Sequence, residues 1–313
     1  ALHTVYVGGG TPSLLSAEEF SRISRALRET FDLSSCAEFT VECNPESLSS
    51  PLAETWLKQG VNRVSMGVQT FQDNLLSRLG RLHTSQQAKS AFELLRNVGF
   101  ANISLDLMAA LPQQTEAQLS EDLFQMIALA PEHLSVYLLK VEPDSAFGRA
   151  AVQECDEELQ RSMYLSVDQI LTSAGYEHYE ISNFARPGFR AIHNSVYWSG
   201  GEYLAFGPGA SGFYRGERYS IPADTASYCR LNGMVPFVVE ETVDSSERRK
   251  EAIFLGLRLS DGIDLALIPP EKDAFVRALC REGLALVKQH RFSLTAKGFL
   301  VSDYVISELL PAR

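Results

Sequence analysis

Short β-rich runs alternate with helical patterns from residue 3 to about residue 174 of the chain. The pattern predicts strands at 3–7, 38–42, 63–68, 102–108 and 133–139, and helices from Ser16 onward and near 51–59, 86–98, 116–129 and 157–174. The first helix is predicted to begin with a capping box, because Glu19 lies three residues after Ser16. We interpret the strands as apolar throughout. Such strands, joined by helices, predict an α/β fold with a parallel sheet covered by helices, either an open doubly wound sheet or a barrel.

The pattern changes after about residue 176. Residues 176–215 are rich in aromatic residues, Gly and Asn, which is typical of late strands and functional loops. From Ser245 onward two helical stretches, the hairpin-like segment LVKQHRFSLT and a last helix follow one another. This order is typical of a winged-helix-like module, and the acidic charge of the chain favours a structural or lid role for it over DNA binding. We therefore predict a barrel domain over 1–240 and a small helical, winged-helix-like C-terminal domain over 241–313.

Charge and cysteine usage narrow the class of protein. The formal net charge of −11 argues against a nucleic acid as the main partner, because phosphate binding needs a basic surface. The chain has no run of about 18 apolar residues and no recognisable signal peptide. Its cysteines are scattered and form no CxxC pair: Cys36, Cys43, Cys155, Cys229 and Cys280. We therefore expect a cytoplasmic protein without an integral membrane segment, acting on a small molecule.

A run of three glycines follows the first predicted strand. Gly8, Gly9 and Gly10 lead into Thr11-Pro12, and three residues without Cβ favour close approach of a ligand to the backbone. The dinucleotide fingerprint does not fit, since Ser13 stands where its third Gly would be, and a P-loop does not fit, since no Lys follows. The alternative is an ordinary turn between a strand and a helix.

Further polar residues lie at or after the ends of the next strands, where a barrel or an α/β sheet places its ligand. These residues are Glu42, Gln69, Arg81 and Asp106. A carboxylate can bind ribose hydroxyls, whereas Gln and Arg can bind a carboxylate. Together with exposed backbone carbonyls, the set suits a zwitterionic nucleoside. The alternative is a group of structural strand-end caps and a surface Arg.

The order of the motifs resembles a known family. In order, these motifs are GGGTPS, VECNPES, RVSMGVQTF, RLGRLH, DLMAALPQQT and HLSVYLLKVEP. They are similar to those of the radical S-adenosylmethionine proteins of the oxygen-independent coproporphyrinogen III oxidase and heme-chaperone group. The resemblance implies a partial (β/α)6 barrel with a helical C-terminal domain. It also implies that Gly9, Gly10 and Thr11 hold the methionine end of S-adenosylmethionine, with Glu42, Gln69, Arg81, Asp106 and Lys140 at its other contact positions.

The resemblance also implies a four-iron cluster, a 4Fe-4S centre held by a Cys-x3-Cys-x2-Cys loop before the first strand. This chain lacks that loop, and no three of its cysteines have the ligand spacing, so we expect no metal ligands in the chain as given and place the cluster ligands upstream of it. Two positions depart from the family pattern. Ala110 stands where relatives usually have Gly, and Ser211, at a further cofactor contact position, stands where His is expected.

The segment HNSVYW provides candidate heme contacts in His193, Asn194, Tyr197 and Trp198. An imidazole can be an axial ligand, and aromatic faces suit a flat macrocycle. The alternative is a loop packed onto the barrel by its aromatic side chains. The HNxxYW form resembles the heme-chaperone branch more than the oxidase branch. We therefore predict a heme-binding, heme-transferring protein, with heme-accepting proteins as partners.

Two other functions stay open from the sequence. One is an oxidase that decarboxylates coproporphyrinogen III, with a porphyrinogen as its substrate and the bound cofactor supplying the chemistry. The other is a nucleoside-binding barrel with neither activity. The sequence also leaves open whether the protein forms a homodimer.

Overall fold

The computed structural model of the protein describes residues 1–231 and 237–310. The chain divides into two compact units, Ala1–His193 and Asn194–Arg313. This division lies well before residue 240, the domain boundary predicted from the sequence. The predicted domains 1–240 and 241–313 therefore stay a prediction. Across the described residues no helix combines the length and the apolar character that a bilayer crossing requires.

The first unit is built on a seven-stranded sheet. Its strands are β1 (Thr4–Val7), β2 (Glu38–Cys43), β3 (Arg63–Gln69), β4 (Ile103–Ala109), β5 (His133–Leu138), β6 (Glu177–Glu180) and β7 (Asn183–Ala185), in the spatial order β1-β2-β3-β4-β5-β7-β6. The first five strands pair in parallel, and β7 is antiparallel to both of its neighbours. Strand β6 therefore runs in the same direction as the first five. The sheet curls into a half-barrel, which confirms the predicted fold class.

Helices connect and cover these strands. They are α1 (Ala17–Thr30), α2 (Ser50–Lys58), α3 (Asp73–Arg78), α4 (Ser85–Val98), α5 (Glu116–Leu129), α6 (Ala146–Arg149) and α7 (Glu157–Ser173), and α8 (Ile192–Trp198) runs across the division between the units. The capping box predicted at the start of α1 is present: the Glu19 amide donates to Ser16 Oγ at 3.2 Å, and the Ser16 amide donates to Glu19 Oε2 at 2.8 Å. Two reciprocal bonds of this kind fix where the helix begins.

The strands are not apolar throughout, which corrects the prediction. Along β3, Val64, Met66 and Val68 lie in the hydrophobic core, whereas the Ser65 hydroxyl donates to Asp106 of β4 at 3.2 Å. Successive side chains of a strand point to opposite faces, so one face of the sheet is apolar and the other is polar. The apolar face packs against the helices. The polar face is therefore the one that a ligand can meet.

The second unit contains two three-stranded sheets, ordered β10-β9-β8 and β11-β13-β12. Its elements are β8 (Ser211–Tyr214), β9 (Glu217–Ser220), α9 (Thr225–Arg230), β10 (Val238–Thr242), α10 (Ser245–Gly256), β11 (Ile263–Asp264), α11 (Asp273–Arg281), β12 (Ala285–Lys288), β13 (Arg291–Leu294), α12 (Ala296–Phe299) and α13 (Ser302–Leu309). From α10 onward the order is helix, the short strand β11, helix, hairpin, and then α12 and α13, with β11 in the hairpin sheet. The two helices and the hairpin predicted from Ser245 onward are present, the predicted last helix is divided into α12 and α13, and the winged-helix-like domain stays a prediction.

Candidate functional site

The glycine loop is tied to the end of the neighbouring strand by Glu42. The Gly9 amide donates to Oε2 of Glu42 at 3.1 Å, and the Tyr6 hydroxyl donates to Oε1 at 2.6 Å. A Cβ on Gly8 would lie 2.6 Å from Cε1 of Tyr6 and 2.9 Å from Cδ of Glu42, so only Gly fits at this position. Gly9 and Gly10 have φ angles of +74° and +57°, and a Cβ on either would meet no atom within 4 Å. The loop therefore presents open backbone beside an oriented carboxylate.

A second group of polar side chains converges over Gly67 in β3. A Cβ on Gly67 would lie 2.8 Å from Nε2 of Gln69, 3.3 Å from Oδ1 of Asn44 and 3.9 Å from a guanidinium nitrogen of Arg81. Arg81 donates to Asn44 Oδ1 at 3.4 Å, and Asn44 Nδ2 donates to the Thr11 hydroxyl at 3.4 Å. The structure thus brings the predicted residues Thr11, Gln69 and Arg81 together through Asn44.

Asn44 is a residue that the sequence-based site left out. It directly follows the last residue of β2, one position after Cys43, so its place at a strand end was a signal that could have identified it. Gln69 ends β3 with a φ of +69°, and the ladder between β3 and β4 shifts register between Gly67 and Gln69. A residue other than Gly held in the left-handed region at a strand end is a feature that often accompanies a binding site.

Asp106 lies on the polar face of β4, beside the Gly67 position of β3. Both carboxylate oxygens accept from the Ser65 hydroxyl, at 3.2 and 3.3 Å. Burial raises the pKa of Asp106 to about 6, although hydrogen bonds from Ser135 and Ser65 and the charge of Arg63 oppose that shift. At pH values near 6 a larger fraction of this carboxyl group is therefore protonated than of an ordinary aspartate.

Two further predicted cofactor contacts are Lys140 and Ser211. The Lys140 side chain is 82% exposed, and its Nζ is 3.8 Å from Glu142 Oε1. Ser211 begins β8 in the second unit, where it is paired with Ser220. The roles of Lys140 and Ser211 stay predictions. Ala110, the other departure from the family pattern, is buried with a φ of +57°, a conformation that Gly adopts without strain.

His193 is held by three residues of the first unit. Its Nδ1 lies 2.8 Å from the Thr4 hydroxyl, and its ring stacks on Tyr6 with the centroids 5.1 Å apart and the planes at 25°. Glu38 accepts from the backbone amides of Ile192 and His193, at 2.8 and 3.0 Å. Burial lowers the pKa of His193, against the opposing charge of Glu38. A neutral imidazole in a fixed orientation results.

The other predicted heme contacts, Asn194, Tyr197 and Trp198, belong to the second unit. Tyr197 is four residues after His193, so the two side chains lie on the same face of α8. The Tyr197 ring meets the Tyr203 ring edge to face at 4.6 Å. A contact of these residues with heme stays a prediction.

Three other histidines form buried hydrogen bonds within the first unit. His83 bridges Glu46 and the Val68 carbonyl, at 3.0 and 3.1 Å. His133 lies between Ser104 and Tyr179, each 2.8 Å away, and burial lowers its pKa well below the ordinary value. His178 is 2.8 Å from Asp168. These hydrogen bonds give each of the three imidazoles a structural role in the first unit.

All the cysteines are free thiols. Burial raises the pKa of Cys43, which disfavours its thiolate form. Within residues 1–231 and 237–310, no three His, Cys, Asp or Glu side chains are placed to hold a metal ion. The described residues therefore do not fit a four-iron cluster.

The curled parallel sheet with polar strand ends and a glycine-rich first loop defines a barrel of the radical S-adenosylmethionine class. The family model for the Radical SAM superfamily matches residues 1–126. Coproporphyrinogen III oxidase (HemN) from Escherichia coli has the same fold, with a TM-score of 0.83 over 98% of this chain and 77% of its own. At 20% identity this likeness concerns the fold alone.

Curated relatives define the family further. The heme chaperone HemW of Bacillus subtilis is 40% identical over 99% of this chain and 86% of its own length. The heme chaperone HemW of Lactococcus lactis is 35% identical over 99% of this chain and 85% of its own length. The chain therefore belongs to the HemW heme chaperone family of radical S-adenosylmethionine proteins.

Membership in this superfamily implies S-adenosylmethionine and a 4Fe-4S cluster as cofactors. The site geometry fits S-adenosylmethionine. The open backbone at Gly9 and Gly10 can receive its ammonium group, and the cradle of Gln69, Asn44 and Arg81 over Gly67 provides donors for a carboxylate. Glu42 supplies an oriented carboxylate for hydroxyl groups.

Proposed function

We propose that the protein binds heme through His193, passes it to an acceptor protein, and binds S-adenosylmethionine at the glycine loop. The observation that carries the proposal is the fixed, neutral imidazole of His193, stacked on Tyr6 and bonded through Nδ1 to Thr4. The two relatives named heme chaperones, each covering 99% of the chain, support the same function. Likeness to the oxidase is limited to the fold, so the comparisons favour the chaperone over the oxidase.

The contacts of His193 suit an axial ligand to iron. Iron binds the lone pair of a neutral imidazole, and protonation competes with that bond. His193 Nδ1 shares a hydrogen bond with the Thr4 hydroxyl at 2.8 Å, and in the tautomer that carries its proton on Nδ1 the lone pair for iron lies on Nε2. Because burial lowers the pKa of His193, the imidazole stays in the neutral, iron-binding form near pH 7.

The residues around the glycine loop would hold S-adenosylmethionine. Glu42, fixed by Tyr6 and Gly9, would accept hydrogen bonds from its hydroxyl groups, and Arg81 with Gln69 would bind its carboxylate. Heme transfer as proposed requires only that the chain binds and orients both molecules.

A hemin titration followed by absorbance tests the heme assignment. The wild-type full-length protein should give a Soret band typical of histidine ligation, and His193→Ala should bind hemin at least tenfold more weakly with a shifted band. The matched control is His3→Ala, which removes an exposed imidazole. If His193→Ala binds hemin with the wild-type spectrum and affinity, His193 is not the ligand.

The acceptor protein, the formation of a homodimer and the location in the cytoplasm are further predictions. Mixing the heme-loaded protein with a candidate apo-protein should move the Soret band to that of the acceptor. Gel filtration with light scattering would give the oligomeric state.

A further inference from the structure

Tyr6 is in contact with both proposed binding regions of the first unit. Its hydroxyl donates to Glu42 Oε1 at 2.6 Å, and the other oxygen of that carboxylate accepts from the Gly9 amide at 3.1 Å. Its ring stacks on the His193 imidazole, with 5.1 Å between centroids. One side chain thus joins the carboxylate beside the glycine loop to the imidazole proposed to bind iron.

We propose that Tyr6 is a positioning residue that couples S-adenosylmethionine binding at the glycine loop to heme ligation by His193. This inference rests on the proposed function. The coupling is positive: heme bound at His193 tightens S-adenosylmethionine binding, and by thermodynamic linkage S-adenosylmethionine tightens heme binding by the same factor.

The sign follows from what each contact restrains. The Tyr6 hydroxyl donates to Glu42 Oε1 at 2.6 Å, so it restrains the orientation of that carboxylate. The Glu42 carboxylate accepts from Tyr6 and from the Gly9 amide, one bond on each oxygen, and still has lone pairs for ligand hydroxyl groups. Iron bound to His193 would restrain the imidazole, and with it the stacked Tyr6 ring and the Glu42 carboxylate. The ligand that binds second finds the carboxylate already ordered, so its binding costs less conformational entropy.

The glycine loop packs closely against the Tyr6 ring. A Cβ at position 8 would overlap Cε1 of Tyr6 at 2.6 Å and Cδ of Glu42 at 2.9 Å, so backbone, ring and carboxylate lie in direct contact. A displacement of the loop backbone on ligand binding is therefore transmitted to Tyr6. Two sites are coupled when both change the conformation of the same group between them. Here that group is Tyr6 together with Glu42, which lies between the glycine loop and His193.

The His193 imidazole has supports that do not depend on the Tyr6 hydroxyl. Thr4 holds Nδ1 at 2.8 Å, and Glu38 holds the His193 amide at 3.0 Å. The substitution Tyr6→Phe keeps the ring that stacks on His193 and removes only the donor to Glu42. It should therefore break the coupling and leave heme ligation in place.

The test measures the S-adenosylmethionine affinity of the protein with and without saturating hemin. In the wild type, hemin should tighten S-adenosylmethionine binding by about fivefold or more, which is the lower end of ordinary coupling. In Tyr6→Phe the affinity ratio should fall to within about twofold of unity, while the Soret spectrum and the hemin affinity stay as in the wild type. The matched control is Tyr164→Phe, which removes another buried hydroxyl, the donor to the Ile181 carbonyl at 2.8 Å, and should keep the coupling.

The outcomes separate this inference from the proposed function. Wild-type coupling that persists in Tyr6→Phe, or is lost equally in Tyr164→Phe, overturns the role of Tyr6. A His193-dependent Soret band without any change in S-adenosylmethionine affinity overturns the coupling and leaves heme binding intact. Failure of hemin to bind overturns both.

Discussion

Gly67 shows how a single missing side chain shapes the candidate cofactor site. A Cβ at this position would lie 2.8 Å from Gln69 Nε2 and 3.3 Å from Asn44 Oδ1, whereas the backbone of Gly67 is not in the left-handed region. An Ala can therefore be accommodated if the flexible end of Gln69 moves away. The cost should appear in ligand binding and not in folding.

We predict that Gly67→Ala lowers S-adenosylmethionine affinity about tenfold, the effect of losing one charge-assisted hydrogen bond, and changes the free energy of unfolding by less than about 1 kcal/mol. Isothermal titration and urea unfolding measure the two quantities. Gln69→Ala should weaken binding by a similar factor, and the double variant should be no worse than either single variant, since both remove the same contact. Additive losses would show that Gly67 acts by another route.

Residue positions on single strands were predictable from the sequence, but contacts between distant segments were not. Glu42, Gln69 and Asp106 were predicted because polar residues near the strand ends of an α/β sheet tend to face a ligand, and their contacts with a cofactor stay a prediction. The roles of Tyr6, Glu38 and Asn44 depend on contacts between segments that are far apart in the sequence, such as the register of β1 and β2. The contact between His193 and Thr4 of β1 joins residues that are 189 positions apart. No local pattern encodes such a return.

At the scale of elements, Glu38 binds the first two backbone amides of α8. Glu38 is 3% exposed on β2 and accepts from the Ile192 amide at 2.8 Å and from the His193 amide at 3.0 Å. The first amides of a helix have no partner within the helix, and a carboxylate there also interacts favourably with the helix dipole. Glu38 therefore sets where α8 begins and where its His193 points.

We predict that Glu38→Ala lowers the free energy of unfolding by about 2 kcal/mol and weakens hemin binding at His193, because two amides lose their acceptor. Urea unfolding and a Soret titration are the measurements. The control Glu54→Ala removes an exposed carboxylate that is 3.8 Å from Lys58, and it should change neither quantity by much. Wild-type hemin affinity in Glu38→Ala would show that the cap does not orient His193.

Long elements were predicted closely and short ones were not. The helix predicted at 51–59 is found as Ser50–Lys58, and the one predicted at 86–98 as Ser85–Val98, because long periodic patterns and caps mark them clearly. Helix α3 covers six residues and strand β7 three, too short for a periodic signal. The alternation within β3 was visible in RVSMGV, where Arg63 and Ser65 alternate with Val64 and Met66, and the prediction of a strand apolar throughout overlooked it.

At the scale of the whole molecule, buried carboxyl groups make stability depend on pH. Glu180 is 1% exposed, and burial raises its pKa from the ordinary 4.5 to about 7, while hydrogen bonds from Asn183 and Ser182 oppose the shift. Burial likewise raises the pKa of Asp106, to about 6. A carboxyl group whose pKa is raised by folding binds a proton more tightly in the folded state, so its contribution favours low pH.

We predict that the free energy of unfolding falls as pH rises from about 4.5 to 7 and that the Glu180 contribution then levels off. The loss attributable to Glu180 is up to roughly 3 kcal/mol, since each pKa unit corresponds to about 1.4 kcal/mol. Glu180→Gln keeps the shape of the side chain and cannot ionise. The variant should therefore be more stable than the wild type at pH 8, and its free energy of unfolding should depend less on pH.

Urea unfolding at pH 5, 6, 7 and 8 measures this pH dependence, and Glu93→Gln, at an exposed position, is the control. Because the chain has two compact units, fluorescence and circular dichroism should be followed together, so that the transition of the first unit is identified. A Glu180→Gln profile parallel to that of the wild type would mean that Glu180 is ionised in the folded protein throughout this range.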